Sequence, residues 1–231
     1  MSPRARRRFD AWLALLLVLL AVGAIAGALA GTSIEGARWL HYLCKPAATL
    51  VIIARARNGA GAYGRWVRVG LWLSLVGDIC LMLPVDAFVA GLAAFLLAHL
   101  AYIVAFRHGL RGAALAISVP VMAMFAAGNL FGLWPHLPAP LQVPVIAYTA
   151  VLATMAALAL ARGMAPPRGE RRRVRWAAFG AVLFVASDSL LAWDRFAGPL
   201  PWAIAGVLAS YYAAQWCIAV SVNADRGSSW R

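Results

Sequence analysis

Four ionisable side chains fall inside long apolar runs of this chain: Lys45, Asp78, His99 and Asp188. These are residue types that donate, accept or hold a proton. Each is expensive in hydrocarbon, with insertion scales giving about 2.5–3.5 kcal/mol for Asp or Lys at a helix centre. They are therefore expected to face the interior of a helical bundle and to find partners there. At 1.5 Å per residue, Asp78 and Asp188 each lie roughly 7–9 Å below the same end of their helices, which suggests one shared cavity. Lys45 lies roughly 13 Å from that end, and a salt bridge to Asp78 would account for one acid. Two acids at one depth exceed what a single Lys needs, so a functional site is favoured over a simple helix tie. Two further faces carry polar groups. Phe88, Gly91, Phe95, His99, Tyr102 and Phe106 recur at steps of three and four, a packing stripe in which Gly91 permits close approach. Tyr211, Tyr212 and Gln215 share one face of the last helix, and Gln215 is deep enough to need a hydrogen bond inside the bundle.

The elements that must position these groups follow from composition. Of 231 residues, 64% are hydrophobic and only 13% charged. A soluble domain of this length could not bury so much apolar surface, and the apolar runs recur at the length that crosses ~30 Å of hydrocarbon. The chain is expected to be all-α: one integral-membrane domain over residues 1–231, with eight transmembrane helices. They are placed at about 11–30, 36–54, 67–84, 87–106, 110–129, 142–161, 175–193 and 200–222. Proline-rich FGLWPHLPAP separates helices five and six, and WDRFAGPLP separates seven and eight, which makes Asp194 and Arg195 loop residues. The Arg-rich start, the roughly 20-residue apolar run and ALAG at Ala28–Gly31 resemble a signal peptide, but the run exceeds the usual 7–15-residue core, so helix one is expected to remain a span.

The net charge is +13, and 20 of the 21 basic residues are Arg. Eighteen lie on alternate loops: Arg4 to Arg8, Arg55 to Arg68, Arg107 and Arg111, Arg162 to Arg175, and Arg226 with Arg231. Positive loops stay in the cytoplasm, so both termini are expected there, in a bacterial inner membrane. The same scatter over short loops argues against a nucleic-acid surface. Trp12, Trp39, Trp134, Trp193 and Trp202 near span ends fit an aromatic belt, and His41 and His136 are read as interfacial. Cys44, Cys80 and Cys217 form no C-x-x-C pair and imply neither a disulfide framework nor a zinc site. Nothing in the spacing sets an oligomeric state. Two functional classes remain open on these grounds, an intramembrane enzyme and a small proton-coupled carrier.

Particular segments narrow the choice. KP at Lys45–Pro46 with Thr49, GDICLMLP at Gly77–Pro84 and FVAGLAAFLLAHLAYIVAF at Phe88–Phe106 form one set. Pro144 and Tyr148, GAVLFVASDSLLA at Gly180–Ala192, and YYAAQ at Tyr211–Gln215 complete it. Together they resemble the YhhN family of membrane proteins, the lysoplasmalogenases, over about residues 40 to 220. The resemblance implies eight spans, no metal or organic cofactor, and hydrolysis of the vinyl ether bond of a lysolipid to a fatty aldehyde and a glycerophospho-base. Such a reaction asks for one protonated acid, one ionised carboxylate and controlled water, a logic parallel to glycoside hydrolysis. Asp78 and Asp188 are the two buried acids available, with Asp78 expected as acid and Asp188 as base. Lys45, His99, Tyr102, Tyr148, Ser187, Tyr211, Tyr212 and Gln215 are expected to bind the substrate or position water. The expected partners are the lysolipid and surrounding membrane lipid.

Overall fold

The computed structural model describes residues 2–31, 34, 36–59, 61–83 and 87–222. Pro84, Asp86, Arg226 and Arg231 lie outside the described residues, as do the side chains of Arg6 and Arg7. Eight α-helices account for nearly all that is described: α1 (Pro3–Ala30), α2 (Ala37–Ala56), α3 (Gly61–Met82), α4 (Phe88–Phe106), α5 (Gly112–Leu133), α6 (Ala139–Met164), α7 (Arg171–Phe196) and α8 (Ala203–Ser221). Six of them, α1 and α4 to α8, are long and apolar enough to cross a membrane, which makes this an integral membrane protein. Helices α2 and α3 match them in length but carry charge: Arg38, Lys45 and Arg55 in the first, Arg65, Arg68 and Asp78 in the second.

Several helices outrun their apolar cores. Ser2 Oγ accepts the Ala5 backbone N–H and starts α1 amid its arginines, eight residues before the expected span. Helix α3 begins at Gly61 rather than 67, and α7 begins at Arg171 rather than 175. Arg is a good helix former, so the backbone stays helical after the hydrophobic pattern ends. The stretch FGLWPHLPAP is also less of a loop than expected, since α5 runs to Leu133 and a 3₁₀ turn follows at Trp134–His136. Asp194 and Arg195 sit in the last turn of α7 rather than in a loop, and Asp194 Oδ1 accepts the Leu200 N–H to fix the chain beyond it.

Sequential helices pair as α1–α2, α3–α4, α5–α6 and α7–α8, and the hairpins join through α2 against α3 and α8, α4 against α6, and α6 against α7. Helices α1 and α5 are the least buried of the six apolar spans. Close approach of α3 and α4 depends on two glycines. A Cβ on Gly70 would lie 2.3 Å from the Tyr102 ring, and one on Gly77 would lie 2.6 Å from Phe95. No side chain fits at either position, so the aromatic stripe of α4 rests directly on the α3 backbone.

The arginine-bearing helix ends meet at one end of the bundle. Arg55 on α2 pairs with Asp10 on α1 at 3.4 Å. Arg68 on α3 donates to the Ala56 and Gly59 carbonyls, a cation on the open C-terminus of α2. Tyr63 on α3 bonds Ser221 on α8 at 2.7 Å, and Arg173 on α7 stacks over the Tyr63 ring at 3.6 Å. Arg162 on α6 pairs with Glu170 at 3.0 Å. This basic end and the opposite end give the bundle its polarity.

Candidate active site

Asp78 is almost fully enclosed, with 1% of its surface exposed. Lys45 Nζ lies 3.7 Å from its Oδ1. Thr49 and Tyr211 donate their hydroxyls to its Oδ2, each at 2.7 Å. Thr49 comes one turn after Lys45 on α2, so both reach the same carboxylate. From Tyr211 the network continues. Gln215 Nε2 donates to the Tyr211 hydroxyl at 3.4 Å, and Tyr102 donates to Gln215 Oε1 at 2.7 Å. Tyr212 donates to the Lys45 carbonyl at 3.5 Å. One cluster thus gathers Lys45, Asp78, Tyr102, Tyr211, Tyr212 and Gln215 from four helices. The salt bridge expected between Lys45 and Asp78 is present. The two hydroxyl bonds on Oδ2 help offset the cost of burying such a pair.

Asp188 sits in a second cluster. Tyr148 on α6 donates to its Oδ2 at 2.5 Å, and His99 Nε2 on α4 lies 3.2 Å from the same oxygen. The Tyr148 hydroxyl is also 3.2 Å from His99 Nε2, so the three groups close a triangle. A proton on Nε2 satisfies the carboxylate, while His99 Nδ1 is buried with no hydrogen-bond partner. Both contacts of Asp188 fall on Oδ2, so Oδ1 is the oxygen left to meet a ligand.

The two clusters differ in what borders them. Asp188 and Tyr148 line a cleft bordered by α3 to α7, with about 870 Å³ of empty space when its open mouth is counted. Its walls are otherwise almost wholly apolar, including Phe88, Leu92, Phe95, Met122, Leu152 and Phe196. Neither Asp78 nor Lys45 lines it. An aromatic layer stands between the clusters. The Phe184 ring meets His99 edge-on at 4.7 Å on one side and Tyr211 at 5.6 Å on the other. Phe95 lines the cleft and meets Tyr211 at 5.8 Å behind it. At the mouth, Trp193 Nε1 donates to Asn129 Oδ1 at 3.1 Å, so Trp193 ties α7 to α5 as well as marking a span end.

Ser187 joins neither cluster, because its hydroxyl donates to the Val207 carbonyl and fastens α7 to α8. Three contributors went unread as site residues: Thr49, Phe184 and Asn129. The four-residue step from Lys45 was a usable signal for Thr49, whereas an apolar Phe and an Asn near a span end carry none. Among the described residues no group of three or more His, Cys, Asp or Glu side chains is placed to hold a metal ion.

Fold and site together define a polytopic helical membrane protein with two acid-centred clusters, one of them opening on an apolar cleft. The chain belongs to the YhhN family, whose profile matches residues 40–222. It is 40% identical over 189 residues to a Sus scrofa protein named lysoplasmalogenase TMEM86B, covering 80% of this chain and 76% of that one. The human protein of the same name is 36% identical, covering 77% and 72% of the two chains. A lysoplasmalogenase of Mycobacterium tuberculosis is 38% identical over 168 residues, covering 68% and 61%. No solved structure matches the chain at a significant level.

Proposed function

We propose that this protein is a lysoplasmalogenase-like enzyme that hydrolyses the vinyl ether bond of a single-chain lysolipid. The observation that carries the proposal is the Asp188–Tyr148–His99 triangle, two of whose members, Asp188 and Tyr148, line a mostly apolar cleft. The family relationship supports the same reading. A lysolipid offers an apolar chain, one reactive bond and a polar head, in the order that such a cleft would accept.

The chemistry balances with water alone. The carboxyl of Asp188, in its protonated form, delivers a proton to the vinylic carbon remote from oxygen. Positive charge then spreads over the other vinylic carbon and the ether oxygen, where the new carboxylate stabilises it. Water adds to that carbon, returning its proton to Asp188, and the hemiacetal collapses to a fatty aldehyde and a free glycerol hydroxyl. Tyr148 and His99 hold Oδ2 and so aim Oδ1, and Phe95 and Leu92 keep bulk water from the charged intermediate. In this proposal the acid step rests with Asp188, because an aromatic layer separates Asp78 from the cleft. Asp78 supports the packing around the site rather than touching substrate. With Lys45 and Thr49 it fixes Tyr211, which packs on Phe184, which in turn packs on His99.

The proposal includes eight spans, with both termini and the basic end in the cytoplasm of a bacterial inner membrane. Helices α2 and α3 support that count: their charged residues Lys45 and Asp78 face inward, while Leu43, Leu50, Trp72 and Val76 are exposed as lipid-facing side chains would be. Thiol labelling of single cysteines placed in the loops tests the topology, and labelling of the α6–α7 loop from outside intact cells would reverse it. The activity is tested with purified protein and matched vinyl ether, saturated ether and ester lysolipids. Aldehyde is expected from the vinyl ether alone, and in D₂O it carries one deuterium on the carbon next to the carbonyl. Absence of aldehyde, or aldehyde without that deuterium, overturns the mechanism.

A further inference from the structure

We infer that the groove between α5 and α6 is the binding site for the hydrocarbon chain of the lysolipid, reached from the bilayer. The inference rests on the reading of Asp188 as the group that meets the reacting bond. Two cavities meet at this place. The cleft beside Asp188 and a second, open groove share Met122, Ala126, Leu130, Thr149 and Ala153 as a common wall. The groove therefore lies directly against the site, and a chain running from one to the other passes these five side chains. Its thirteen lining residues include no charge, and Thr149 and Thr154 bring its only hydroxyls. Thr154 donates its own to the Ala150 carbonyl at 2.7 Å, one turn back on α6, and makes no demand for water.

Position and length agree with that occupant. Thr149 follows Tyr148, the partner of Asp188, and Leu158 marks the far end of the groove on α6. From 149 to 158 the groove runs about 14 Å along the helix axis. That is close to the ~15 Å of hydrocarbon in one leaflet. The direction is toward the basic end, so a head group at the cleft mouth near Asn129 and Phe196 places the bond at Asp188 and the chain beyond it. Helix α5 is the least buried of the apolar spans, and Val119 and Ile146, which line the groove, are 48% and 40% exposed. The groove thus opens sideways on the bilayer, and a chain slides in without its head group crossing hydrocarbon.

Two measurements test this. The first compares a long-chain with a short-chain vinyl ether lysolipid as substrates of Ala123→Trp and Thr154→Trp, two groove residues that do not line the Asp188 cleft. A kcat/KM lower by about tenfold or more for the long chain is expected, the equivalent of about two methylenes left unburied, with the short chain little changed. Val121→Trp, exposed on α5 but off the groove, is expected to leave both unchanged. Equal losses for both chains, or no loss, or the same loss in Val121→Trp, overturn the inference. The second uses no turnover. A saturated-ether lysophosphocholine with a diazirine near its chain end is irradiated with the protein in phosphatidylcholine vesicles. Label is expected in residues 119–130 and 146–158; label spread evenly over the lipid-facing helices, or crosslinks to a second copy of this chain, overturns the inference. Failure of aldehyde release with label confined to these segments would fault the chemistry and leave the chain site standing.

Discussion

The Asp78 and Asp188 clusters are made of similar parts, a carboxylate receiving a tyrosine hydroxyl, and the proposed chemistry gives them different roles. Asp78 has a cation, two hydroxyl donors and 1% exposure. Its charge is matched by Lys45, two hydroxyls bond its Oδ2, and it does not line the cleft. Asp188 has Tyr148 and His99 on one oxygen, no Lys or Arg beside it among the described residues, and a side chain 12% exposed on a cleft. A buried charge pair stabilises a structure only as a complete unit, whereas a carboxyl with one side unengaged is free to exchange a proton with something new. In the proposed function this contrast assigns Asp78 to structure and Asp188 to chemistry, where burial would not, because both lie deep in the bundle.

The comparison breaks most directly at Asp188. Asp188→Asn keeps an oxygen for Tyr148 but cannot cycle a proton, and a loss of about 10²–10⁴-fold in aldehyde release is expected with the melting temperature little changed. Near-normal turnover would remove Asp188 from the chemistry. Asp78→Asn is expected to act first on stability. It leaves Lys45 as an uncompensated buried charge, worth about 3–5 kcal/mol, and adding Lys45→Met should restore most of that loss. Equilibrium unfolding in detergent measures both variants. If the single variant were as stable as the parent, the pair would not be the closed unit described here.

Smaller effects sharpen the contrast. Tyr148→Phe removes one of the two partners of Asp188. A hydrogen bond to a charged group is worth about 1.5–3 kcal/mol, or roughly 10–150-fold in rate if it is needed in the transition state. Tyr211→Phe removes the equivalent bond at Asp78, and its loss should appear mainly in unfolding midpoint rather than in turnover. Equal effects of the two phenylalanines on rate would erase the distinction between clusters. Ser187→Ala lies between Asp188 and its neighbours in sequence but outside both networks. It should cost about 1 kcal/mol of stability or less and leave the rate unchanged.

The composition alone made the chain an all-helical membrane protein, since no soluble packing hides this much apolar surface. The repeating apolar runs fixed the number of helices, and the alternation of Arg-bearing loops placed their basic ends together. Contacts from Asp10 through Arg173 bear out that common basic end. Helix limits were less legible, because arginines that end an apolar run do not end a helix, as α1 and α7 show. Candidate residues were legible by type, for Lys, Asp and His in hydrocarbon stand out whatever their neighbours. Their grouping was not. Position along a helix gives depth, and depth suggested a single cavity for Asp78 and Asp188. Which side chains meet depends on rotation about each helix axis and on which helices are neighbours, and these are decided when large and small residues interlock across the bundle. Packing of Phe95 on Gly77 and of Phe184 on His99 divides one expected site into two clusters and opens only the second to the cleft. That division arises between side chains as far apart in sequence as His99 and Phe184, where no local pattern can carry it.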